Sequence, residues 1–429
     1  MNDSMTRRGF LRNAALLAGA MSAPAVLRAA PDGYSGPLLV VLQAAGGWDV
    51  TSYCDPKGNI TGERVINHWA ENAEPQTAGN IEYAPFANNA WFFERHRNNI
   101  LVINGVDAQT NSHSTGVLHN WSGRNARGFP SLTALFAARH APTLPLSYLS
   151  YGGFSDTANL IRFSRLDSVT SLRQILTPEL NPGVQGRYDR DPADVARIRA
   201  AHAARLERQL ARPAQHPRAR SNLAAYRDAS AGKAELARFA DFVPAADDVL
   251  PRVTVNEQVT TNLQAQIQLT IAAFDAGVAS AADLQFIGFD THQQHDTRHE
   301  PLLTHLNESL DLLWRFAAER AIADRLTVVV GSDFGRTPRY NADDGKDHWP
   351  IGSVVVMADA PAWGNRVVGR TDEGHNAVLI NPLTLAEDTG GERIYPKDVH
   401  AALRRQLGID TSAVAAGFPL ADSQFDFFG

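Results

Sequence analysis

The residues able to do chemistry fall in five short clusters. Asp49 follows Gly46-Gly47-Trp48, where two glycines let the backbone come close to a ligand or an ion. Asn111-Ser112-His113-Ser114-Thr115-Gly116 sets three hydroxyls beside an imidazole, and a hydroxyl becomes a useful nucleophile only when a base or a metal activates it. Asp290-Thr291-His292-Gln293-Gln294-His295-Asp296-Thr297-Arg298-His299 packs three imidazoles and two carboxylates into one stretch. The last two clusters are Ser332-Asp333-Phe334-Gly335-Arg336-Thr337-Pro338 and Gly345-Lys346-Asp347-His348-Trp349.

Each cluster has a plain alternative. An Asp after a strand often caps a helix, a Ser/Thr run often starts one, and Asp347-His348 reads equally as a turn with an ion pair. The third cluster resists such a reading, because so many imidazoles directly after an apolar run are poorly explained as solvated surface. His together with Asp suits zinc or manganese better than calcium, which prefers oxygen shells. Metal ligation is therefore expected of Asp290 with His292 or His295, while His299 and His305 decorate the following helix.

The elements that must position these groups are also visible. Apolar, β-branched runs at Pro37 to Leu42, Ile100 to Ile103, Leu284 to Phe289, Leu326 to Val330 and Gly352 to Met357 mostly end in polar clusters. Continuous apolar strands separated by helical stretches predict a mostly parallel sheet covered on both faces, with ligands outside the carboxyl ends of its strands. Helices are predicted at Pro130 to Ala138, Asn256 to Ala276 and Pro301 to Arg320. Between about 189 and 248 the chain turns rich in Ala, Arg and Glu and is punctuated by Pro213, Pro217 and Pro244, which predicts a helical insertion.

The first thirty residues carry Arg7-Arg8-Gly9-Phe10-Leu11, a short Ala/Leu-rich core and small residues to Ala30, the pattern of a twin-arginine signal. That apolar core is too short to span a bilayer, so the expectation is export of a mature chain 31–429 to the periplasm or beyond, with no membrane span. The net charge of −6 grows more negative once residues 1–30, with four arginines and one aspartate, are removed, which argues against nucleic acid as a partner. Cys54 is the single cysteine, so no disulfide forms within the chain and an ordinary core must hold the fold.

Taken in order, Asp49, Ser112, Asp290 with its histidines, Asp333 and His348 resemble the pattern of the alkaline phosphatase and sulfatase superfamily. More narrowly, Gly-Gly-Trp-Asp, His-Ser-Thr-Gly, Phe-Asp-Thr-His, Asp-Phe-Gly-Arg-Thr-Pro and Asp-His-Trp, between Pro37 and Leu407, resemble the exported family called domain of unknown function 1501. The resemblance implies an alkaline-phosphatase-like α/β fold and a metal-dependent hydrolase of phosphate or sulfate esters, small or polymer-linked. It places one divalent ion on Asp290, His292 or His295, and His348, and a second on Asp49, Asp333 and the Ser112 oxygen, with zinc or manganese favoured. Ser112 is then the nucleophile and Arg336 holds a non-bridging oxygen. Two positions depart from the superfamily: Phe334 stands where its phosphatases carry His, so that the second ion loses a ligand unless Asp347 replaces it, and position 294 is Gln between His292 and His295. A non-catalytic metal-binding or envelope-associated protein on the same fold is the alternative expectation.

Overall fold

The structure, a computed structural model, describes residues 33–166, 169–176, 191–212 and 216–429. Residues 1–30, expected to be a twin-arginine signal, lie outside the described residues.

An eight-stranded sheet organises the chain: β1 (Leu38–Ala45), β2 (Ile100–Asp107), β3 (Tyr148–Ser150), β4 (Phe163–Ser164), β5 (Ala281–Ile287), β6 (Leu326–Ser332), then β9 (Ile351–Ala358) and β10 (Arg366–Val368). Between β6 and β9 lies a small hairpin of β7 (Gly335–Arg336) and β8 (His348–Trp349). The spatial order of the sheet is β10-β2-β9-β6-β1-β5-β3-β4. All its pairings are parallel except the two made by β9, which runs antiparallel to both β6 and β2. The sheet is thus mostly parallel and flanked by helices on both faces. The direction of β9 fits its connection: the hairpin and its loops, with no helix, separate it from β6, and a parallel return usually runs through a crossover helix.

Alternation on β1 shows why its run is apolar throughout. Leu38, Val40 and Leu42 join one core, and Leu39 and Val41 the other. The first core is completed by α7 (Leu263–Asp275) and α8 (His295–Glu319), the second by α2 (His113–Ser122), α3 (Leu132–His140) and α9 (Pro396–Gln406). The other helices include α1 (Asn89–His96), α4 (Val169–Leu176), a single turn at Ala413–Ala416 and, in the stretch expected to be an insertion, α5 (Pro192–Leu210) and α6 (Pro217–Phe239). Each of α5 and α6 begins with a proline in its first turn, capped by Asp191 and His216. No helix among the described residues is long and apolar enough to cross a membrane.

Helix α8 begins six residues before Pro301, earlier than periodicity predicts. Its first amide, that of His295, donates to the Asp344 carbonyl at 2.7 Å, and the Gln294 amide donates to Asp343 at 3.1 Å. A distant loop thereby caps the helix start, a tertiary contact that local spacing does not encode. At the other end, α7 starts late because Thr260–Thr261 pair with Val253–Thr254 as a short ribbon.

Candidate metal centre

Strands β5, β1 and β6 are adjacent and parallel, so the loops that leave their carboxyl ends meet. Those loops carry Asp290, Asp49 and Asp333. Gly46, at φ +124°, makes the meeting tight: a Cβ there would lie 2.5 Å from the Asp290 amide nitrogen. Gly345 does the same for the hairpin, since a Cβ there would fall on the His292 carbonyl.

Three imidazoles converge on Asp290. His292 Nε2 lies 3.0 Å and His348 Nε2 3.2 Å from Asp290 Oδ1, while His113 Nε2, at the start of α2, lies 3.5 Å from Oδ2. Ligand atoms of His113, Asp290 and His348 all fall within 4.8 Å of one another. The opposite ring nitrogens are all engaged: His113 Nδ1 with Asp333 Oδ2 at 2.7 Å, His292 Nδ1 with Asp347 Oδ1 at 2.8 Å, and His348 Nδ1 with the Asn111 carbonyl at 2.8 Å. Each of these acceptors takes an Nδ1–H, which selects the tautomer whose bare Nε2 faces inward. His113 Nε2 is buried without a hydrogen-bond partner, and His292 and His348 bring their Nε2 atoms to 2.9 Å. Facing lone pairs at that distance repel, and a cation between them removes the repulsion. The donor set, three imidazole nitrogens and one carboxylate, fits zinc or manganese.

The supports of this cluster are equally specific. Asp333 is buried and also accepts from Gln43 Nε2 at 3.0 Å and the Gly46 amide at 3.2 Å, and its hydrogen bond raises the His113 pKa above the ordinary value against the effect of burial. Arg336 is wholly buried. Its Nε donates to Gly47 O at 2.7 Å, its Nη1 to Lys346 O at 3.0 Å, and its Nη2 to Gly46 O and Asp290 Oδ1. Burial pushes the Asp290 carboxyl up, but Arg336 and the neighbouring imidazoles outweigh it and hold the group below the ordinary carboxylate range. The Phe334 ring packs on His113 and His348, with centroids 4.9 and 4.7 Å away, as an apolar wall.

The other expected site residues lie nearby in different company. His295 is buried, with Nε2 3.0 Å from Asp49 Oδ2 and Nδ1 2.7 Å from the Thr291 hydroxyl. Asp49 N-caps a short turn through the Thr51 amide and takes an ion pair from Lys346 Nζ at 2.8 Å. Ser112 is the exposed N-cap residue of α2; its hydroxyl makes no capping bond and lies 3.4 Å from the Ser114 hydroxyl. It stands between Asn111, which holds His348, and His113. Asp347 borders a cleft of about 620 Å³ lined also by Arg64, Arg339 and Trp349. Sequence reasoning weighed the hydroxyls at 112–115 and passed over His113, whose residue type beside Ser112 was the available signal. It likewise passed over Lys346.

The sequence profile described as a protein of unknown function, DUF1501, matches residues 37–424. No curated protein matches the chain. Among solved structures, Ps i-CgsB in complex with k-i-k-neocarrahexaose is similar at 7% identity and TM-score 0.40, over 91% of this chain and 75% of that one. A PsFucS1 sulfatase from Pseudoalteromonas sp. is similar at 12% identity and TM-score 0.38, over 91% of this chain and 73% of that one. Alkaline phosphatase from the Antarctic bacterium TAB5 is similar at 9% identity and TM-score 0.33, over 78% and 95%.

Proposed function

This chain belongs to the DUF1501 family, and we propose that it is an exported, metal-dependent hydrolase of phosphate or sulfate esters whose ion is held by His113, Asp290, His292 and His348. The observation that carries the proposal is the convergence of three imidazoles, each tied off at Nδ1, on one carboxylate at the carboxyl edge of a parallel sheet. When bound, the ion supplies Lewis-acid stabilisation of an ester oxygen and lowers the pKa of a nearby hydroxyl or water.

The chain's own groups have separate tasks in this reading. Ser112, exposed beside His113, is the nucleophile: its oxygen takes the phosphoryl or sulfuryl group and the alcohol leaves with the serine proton. Water then cleaves the serine ester, returns a proton to Ser112 and releases the anion. Phe334 packs against His113 and His348, Arg336 fixes the orientation of Asp290, and the cleft beside Asp347, lined by Arg64 and by the Arg339–Glu63 ion pair, receives the rest of the ester. The segment at 1–30 would deliver the folded protein through the twin-arginine machinery.

One feature favours the non-catalytic alternative. Phe334 places a ring where a further ligand would stand, so the cluster could bind an ion without turning over an ester. Elemental analysis paired with turnover of an aryl phosphate and an aryl sulfate separates the two. Activity lost on chelation and restored by zinc or manganese, and absent in His113→Ala, supports the hydrolase; bound metal with no turnover of either ester supports the binder.

A further inference from the structure

Lys346 is wholly buried, an expensive place for an ammonium group. Its three protons have three oxygen acceptors: Asp49 Oδ2 at 2.8 Å, Asn67 Oδ1 at 2.7 Å and Thr51 Oγ1 at 3.2 Å. The Tyr340 ring lies 5.1 Å from the nitrogen. Around it the cage is closed by its own bonds, since the Ser52 hydroxyl is 3.0 Å from both Asp49 Oδ2 and Asn67 Oδ1, and Asp49 Oδ1 accepts from the Thr51 amide and hydroxyl. Asp49 Oδ2 faces Lys346 Nζ, the Ser52 hydroxyl and His295 Nε2 while its Oδ1 accepts twice from Thr51, the surroundings of an ionised carboxylate. An all-oxygen shell with one carboxylate is what a hard cation such as magnesium takes.

We propose that the Lys346 ammonium is a built-in cation occupying the place where Asp49 would otherwise ligate a metal, so that the chain loads a single ion at the His113–Asp290–His292–His348 cluster. The site is completed from within the fold, and the cage becomes a magnesium or small-ammonium site only when the lysine side chain is cut back. Lys346 also positions the cluster: its amide donates to Thr291 O at 3.1 Å, its carbonyl takes Arg336 Nη1, and the next two residues are Asp347 and His348.

The test needs no substrate. Full-length protein saturated with zinc or manganese and then dialysed should retain about one ion per chain, a count unchanged in Asp49→Asn; about two ions, falling to one in Asp49→Asn, overturns the proposal. Lys346→Ala should lower the unfolding temperature, and magnesium or ethylammonium should raise it again, while tetramethylammonium at matched ionic strength should not. Equal response to all three salts, or a Lys346→Ala protein as stable as the parent, also overturns it. If Lys346→Ala does not fold, the ion count on the parent and Asp49→Asn decides alone.

Discussion

His113 Nδ1 lies 2.7 Å from Asp333 Oδ2, and the same carboxylate is pinned by Gln43 and the Gly46 amide, so a side chain at the end of β6 dictates how an imidazole at the start of α2 faces Asp290. Second-layer carboxylates of this kind fix both ring orientation and basicity. Asp333→Asn should therefore weaken metal affinity by about 10- to 100-fold with the fold retained. Competition against a chelator measures it; an affinity equal to the parent's would show that Asp333 serves only the fold.

Ser112→Ala should reduce ester hydrolysis by several orders of magnitude while leaving bound metal and unfolding temperature nearly unchanged, because its hydroxyl makes no capping bond and the residue is exposed. Kinetics and melting of the same preparation give both readings. Retained activity, together with a dead Ser114→Ala or Thr115→Ala, would move the nucleophile along the loop.

A third expectation concerns pH and a carboxyl outside the His113–Asp290–His292–His348 cluster. Asp283 is buried beneath β3 and α3, where burial pushes its pKa up to about 7 against the donated bonds of Thr133 and Tyr148. Unfolded, the same carboxyl ionises near 3.8. Between those values the folded chain holds a proton that the unfolded chain has lost, so stability falls as pH rises through the window, at most on the order of 1 kcal/mol per pH unit. Asp283→Asn should flatten that slope in denaturant titrations from pH 4 to 7. A slope identical to the parent's would count against a raised Asp283.

Export is tested at the other end of the chain. Replacing Arg7 and Arg8 with lysine preserves charge and should leave precursor in the cytoplasm, because the route reads the arginine pair. Fractionation shows it directly, and normal periplasmic accumulation would refute the twin-arginine reading.

What could be read in advance, and what could not, divides along a physical line. The runs at Pro37 to Leu42 and Leu326 to Val330 were legible as buried strands because both faces of β1 and β6 meet apolar layers, and burial on both faces writes itself into every residue. The run at Gly352 to Met357 was equally legible as a strand, but an apolar run carries no direction, and β9 proves antiparallel. His292 and His295 could not be separated by spacing alone. Gln294 adopts a left-handed φ of +48° at the mouth of α8, which leaves His292 in the loop facing Asp290 and turns His295 inward to Asp49. Nothing local to Gly345-Lys346-Asp347 marks Lys346 for burial; only the fold, by bringing residues 49, 51 and 67 around it, buries it.

The hairpin that carries His348 also sets a schedule. A nascent chain halted before residue 348 holds His113, Asp290 and His292 at most, and even Asp290 lacks the Arg336 anchor until β7 has formed. The last imidazole then arrives on the strand partner of Arg336, which pairs in register with His348. If the cluster holds an ion as proposed, tight capture is a late event in biosynthesis, available only to a polypeptide whose β6 and hairpin have docked, and an incompletely synthesised or misassembled copy would surrender the ion to any competent chelator.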